Sequence, residues 1–215
     1  MSLATIQRDL AALYETPLEH SVLDFLVTDP DLARRLHDSA SADNAERLLL
    51  RQTDETLDIT LFVDAAVLAQ LDLQDPYAAL GAHNLNAFLV ALEGVSHFNY
   101  VVWNARYARP VSLLELELQA EVDKYVSLSI GLARTGNPVD AGRLHERLFS
   151  EVGFNLELDA SSRTRYAEAN HLAGKYCQGL VRRFPAQHLE PLFVQELRRF
   201  YRLPQNDKIR FIHAR

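Results

Sequence analysis

The sequence predicts a mainly α-helical fold, a bundle of about five longer helices with short N-terminal helices and one β-hairpin covering one side. Three observations predict it. Beyond residue 85, apolar residues recur at helical spacing in long segments separated by Gly, Asn and Pro. Over residues 46–63 the apolar period shortens to two, the repeat of a half-buried strand. The chain of 215 residues, 48% hydrophobic and 24% charged, is long enough for one large core. A single domain, 1–215, is expected, with residues 1–80 packed on a helical core 81–203 and a tail 204–215.

The elements follow in order. Leu3 to Tyr14 is an opening helix that stops before Thr16-Pro17, because a residue preceding proline is pushed out of the helical region. Ser21 followed by Asp24 reads as a capping pair for a short helix Val22 to Val27. Pro30, after Asp29, sits at the first position of another. Leu57, Ile59, Leu61 and Val63 alternate with polar residues, and Thr53, Asp54 and Glu55 form a turn, so 46–63 is a hairpin. Asp64 then caps a helix through Leu71. An isolated hairpin is marginal in water, so its apolar face must pack on helices, and Phe154 to Leu158 is a candidate third strand.

Longer helices come next. One runs from Leu85 to about Tyr107 and ends at Arg109-Pro110; a second, capped by Ser112, continues to about Arg134 and stops at Gly136, Asn137 and Pro138. These two should pair antiparallel. Three more are expected at about Val139–Val152, from Ser161 or Ser162 to Phe184, and at Gln187–Tyr201. Ile209 to Ile212 reads as a short strand or docked extension of the tail.

Charge and composition bound the function classes. A formal net charge of -7 argues against nucleic acid, which draws most binding energy from a basic surface. No apolar run spans a bilayer without interruption, and Met1 to Leu13 holds no signal-peptide core, so a cytoplasmic location is expected with neither a membrane span nor secretion. A lone cysteine, Cys177, rules out an intrachain disulfide; on the apolar stripe of its helix it reads as a small hydrophobe. Residues 1–75 carry fifteen Asp or Glu against five Arg, whereas 175–215 carry nine basic and three acidic side chains. Opposed ends can dock within one chain or between two copies, or reflect surface charges that drifted.

The candidate chemistry lies on the two long helices. Asn86, Glu93, His97, Tyr100 and Asn104 fall within about 40° of one line, since side chains advance by about 100° per residue. Such a stripe is either a strip of exposed surface or the lining of a polar pocket. On the second long helix, Glu121 sits at the centre of the stripe Leu114, Leu118, Tyr125, Leu128 and Leu132, which makes it a candidate buried acid needing a partner: Lys124 one turn on, or His97 or Tyr100 across the pair. The inventory of Glu93 with His97, Glu117 with Glu121, and Glu168 with His171 invites a di-metal carboxylate bundle. Only Glu168-x-x-His171 has the required spacing, and it points away from its helix's apolar stripe.

Glycine-rich phosphate loops, a nucleophile elbow and a His-Glu-x-x-His run are absent from the sequence. The leading reading is therefore a non-catalytic interaction or accessory protein that binds itself or another protein and needs no cofactor. The alternative is an enzyme, small-ligand binder or divalent-metal binder with its pocket between helices 85–107 and 112–134. Glu93, His97, Tyr100, Glu121 and Tyr125 are its candidate pocket residues, and Glu93, His97 and Glu121 its metal ligands. Chaperone-like capture of a charged segment rests on the charge asymmetry alone.

Overall fold

The computed structural model describes residues 1–36, 44–53, 56–73, 82–134, 140–150, 159–185 and 191–214. Helix α1 (Leu3–Tyr14) starts at Ser2, whose hydroxyl accepts the Thr5 N–H, and ends at Glu15 in the left-handed conformation. Ser21 caps a 3-10 turn (Val22–Phe25), after which the chain is extended as β1 (Leu26–Val27). The helix expected over Val22–Val27 is thus cut short. Leu26 and Val27 gain more as strand partners of Leu61 and Phe62, and a six-residue stretch carries too little period to choose between helix and strand. Helix α2 (Pro30–Leu36) follows, with the Asp29 carboxylate accepting the N–H groups of Asp31 and Leu32.

Strands β2 (Glu46–Gln52) and β3 (Leu57–Val63) form the hairpin, but β1 adds to it in parallel, giving a three-stranded mixed sheet of order β1-β3-β2. The proposed strand over 154–158 lies outside the described residues. Both faces of the sheet are covered at one end. Leu61 and Val63 join the main core, whereas Phe62 and Leu49 pack with Ala33 of α2. The register pairs Glu46 with Val63, so Glu46 shares the main-core face.

Helix α3 (Ala65–Leu73), capped by Asp64, leads to α4 (Ala82–Ala105) and α5 (Leu113–Arg134), which starts with the Ser112 hydroxyl accepting the Glu115 N–H. Pairings between them run in opposite directions along the chain, Tyr100 with Glu115, Ser96 with Asp123 and Glu93 with Lys124, so the two are antiparallel. Helix α6 (Ala141–Phe149) precedes α7 (Ala160–Arg183), whose cap is Asp159 rather than Ser161 or Ser162. Helices α8 (Pro191–Arg202) and α9 (Gln205–His213) complete the fold.

The architecture therefore departs from a simple five-helix bundle with a hairpin. The tail expected as a strand or extension is helix α9, and α6 is only nine residues long. At the centre, α5 lies between α4 and α7; α1, α3 and the sheet cover α4, while α6 and α9 cover α7. Among the described residues no helix is long and apolar enough to cross a membrane.

Candidate metal centre

The site is built where the β2 edge meets α4, with α5 and α7 behind. Glu93 and His97 lie one turn apart on α4, and Gly94 between them leaves room for the strand. A Cβ at Gly94 would stand 2.8 Å from Glu46 Cγ and 3.0 Å from Leu61 Cδ1, so only glycine lets β2 seat its carboxylate against the helix. Glu46, Glu93 and His97 each offer a ligand atom within 4.8 Å of the other two. Because facing residues alternate along a strand, a one-residue slip of β2 would bring Arg47 here instead.

His97 is held between two carboxylates. Its Nδ1 is 3.5 Å from Glu46 Oε1 and its Nε2 is 3.5 Å from Glu117 Oε2, with only 8% of the side chain exposed. These are ion-pair separations and not well-formed hydrogen bonds: Glu46 Oε1 and His97 Nε2 are buried without a hydrogen-bond partner. Beyond them, Lys124 Nζ is 2.7 Å from both Glu93 Oε2 and Glu121 Oε1. Asn170 of α7 donates to Glu121, and Arg165 Nε lies 3.7 Å from Glu117 Oε1. Glu93 and Glu121 retain about a fifth of their side-chain surface, so the cluster meets solvent on that edge.

The electrostatics follow from this crowding. Burial pushes the Glu46 carboxyl above its ordinary range against the pull of His97. For His97, burial opposes protonation, yet Glu117 and Glu46 outweigh it and hold the imidazole well above its usual value. Burial would also raise Glu93, but the Lys124 ammonium prevails and lowers it. Lys124 is in turn raised, its burial outweighed by Glu93 and Glu121. Burial, then the charges of Glu117, Glu93 and Glu46, push the Tyr166 phenol up.

A second buried polar layer runs along another side of the α4/α5 pair. Asp123 accepts hydrogen bonds from Tyr14, Ser96 and Gln119, and Gln119 accepts one from Lys208 Nζ at 2.5 Å. Lys208 is fully buried, with its ammonium 4.4 Å from the Tyr100 ring centroid and 4.9 Å from that of Phe200. Tyr100 donates to Glu115, which Arg109 also binds.

Of the residues expected at a pocket, Glu93, His97 and Glu121 fall in one cluster, with Lys124 joining Glu93 to Glu121. Tyr100 belongs to the second layer. Tyr125 is fully buried, its ring packed against His145 and Phe149. The stripe on α4 turns inward after Asn86: His97, Tyr100 and Asn104 are buried. Glu168 and His171 are exposed, and Cys177 is buried with its thiol pushed up by burial and the charges of Glu121 and Asp123. Glu46, Asp123 and Lys208 were missed, and Glu117 entered only beside Glu121 in the di-metal inventory. Glu46 carried a signal, since it opens the alternating strand on the parity of Leu48 and Leu50; Asp123 and Lys208 carried none. Compared with protein-family models, with curated proteins and with solved structures, the chain matches none of them.

Proposed function

We propose that this protein binds one divalent metal ion, with Glu46, Glu93 and His97 as ligands and Glu117 as the group that orients His97. The observation that carries this reading is the set of donor atoms on Glu46, Glu93 and His97 already within 4.8 Å of one another, in which Glu46 Oε1 is buried without a hydrogen-bond partner. A buried carboxylate oxygen left so costs free energy, and a cation beside it removes much of that cost. Metal on Nδ1 leaves the Nε2 proton to Glu117, the carboxylate-imidazole arrangement by which second ligands fix a histidine.

Charge balance supports the same reading. Four carboxylates, Glu46, Glu93, Glu117 and Glu121, face Lys124 and Arg165; a divalent ion that replaces the proton Glu117 and Glu46 otherwise hold on His97 brings the formal charge of the cluster to zero. An oxygen-rich set with a single imidazole suits Mn(II), Fe(II) or Zn(II). The opposed charges of the chain ends, which motivated a self-associating interaction protein, meet in part within one chain: Arg198 pairs with Glu15 at 2.6 Å and binds the Leu13 carbonyl.

Elemental analysis of the protein loaded with each ion and dialysed tests the proposal. One equivalent per chain is expected, falling at least tenfold in His97→Ala and Glu46→Gln with the helical circular-dichroism signal kept. No retained metal in the wild type, or unchanged retention in both variants, would contradict it and leave the cluster as a charge network that fixes the α4/α5 register.

A further inference from the structure

Lys124 sits where a second cation would sit. Its ammonium is 2.7 Å from Glu93 Oε2 and 2.7 Å from Glu121 Oε1, bridging two carboxylates on adjacent helices as a metal ion does. Glu93 takes part on both sides, giving an oxygen to Lys124 and a ligand atom to the group formed with Glu46 and His97. Glu121 is fixed from behind by the Asn170 amide, 3.4 Å from its other oxygen. Glu46, Glu93, His97, Glu117 and Glu121 therefore form a run of donors linked from one to the next, with a side-chain cation built in between Glu93 and Glu121.

Resting on the metal reading above, we infer that Lys124 occupies a second cation subsite and so limits the protein to one divalent ion. Neutralising Lys124 without removing the carboxylates opens that subsite on Glu93 and Glu121. Two ions sharing a carboxylate can form the paired arrangement that clamps both oxygens of a displacement reaction; Lys124 keeps this chain from it. A lysine is suited to the task because its ammonium is a compact point charge on a flexible stem, similar in placement to a small ion.

The test is metal stoichiometry by elemental analysis after loading with Mn(II) or Zn(II) and dialysis, on wild type, Lys124→Met and the double variant Lys124→Met with Glu121→Gln. The expected values are one, two and one ions per chain. One ion in the wild type and still one in Lys124→Met overturns the inference while leaving the metal reading intact; none in the wild type overturns both. Lys124→Met leaves two partly buried carboxylates facing each other, so Lys124→Gln, which keeps an amide donor, is the second variant. If neither folds in chelator, two equivalents of metal must restore the helical signal, and failure to do so overturns the inference.

Discussion

Lys208 stands in surroundings that its own charge opposes. Fully buried between Tyr100 and Phe200, it is lowered to about 7 by burial and the charge of Arg109, with Glu115 and Asp123 pulling the other way. The unfolded chain holds that proton up to about pH 10.4. Between roughly pH 7 and 10 the unfolded state therefore binds more protons at this position, and the lysine's contribution to stability rises with pH, by at most about 1.4 kcal/mol per pH unit. Urea unfolding of the wild type and of Lys208→Met should show a difference that grows in the wild type's favour across this interval; a difference that stays flat would mean that Lys208 is charged in the fold. Nothing in the residue pattern marks Lys208 as buried. Its helix is nine residues long, and Ile209 and Phe211 on either side of Arg210 mimic strand alternation. Glu93 and His97 were legible because their spacing on one turn needs only the helix itself.

Among the elements, α5 shows why a stripe analysis reaches only so far. Residues 115–120 and most of 122–131 are buried, so the helix is enclosed on nearly every side and has no single inner face. Choosing Glu121 as the buried acid assumed such a face; Glu115, Glu117 and Asp123 are buried more deeply. The sheet is a comparable case. Alternation reveals β2 and β3, but the parallel partner β1 has two residues and depends on tertiary contact alone. The β2–α4 contact yields a prediction. Gly94→Ala gains up to about 1 kcal/mol of helix propensity, yet the new methyl must displace Glu46 and Leu61, and overpacking of this kind costs about 1–3 kcal/mol. Net destabilisation in urea is expected, together with weaker metal retention because Glu46 moves from its place. A more stable variant with unchanged retention would show that β2 does not need this close approach.

For the whole molecule, the cluster ties a strand to three helices that are distant in sequence: Glu46 from β2, Glu93 and His97 from α4, Glu117 and Lys124 from α5, Arg165 from α7. A ligand bound only by the folded chain stabilises it by mass action, about 2.7 kcal/mol at one hundred times its dissociation constant. For a chain of this length that raises the melting temperature by roughly 5–10 °C, and EDTA should reverse the rise. Fold class was readable because long periodic segments with proline and glycine stops survive any tertiary arrangement. Glu46's partnership with His97, 51 positions away, was not, because it exists only once sheet register and helix packing are both set. The most direct test is a crystal structure of the Mn(II)-soaked protein with anomalous scattering at the manganese edge. One peak within bonding distance of Glu46, Glu93 and His97 is the predicted result; a peak elsewhere, or none at saturating Mn(II), would contradict the account.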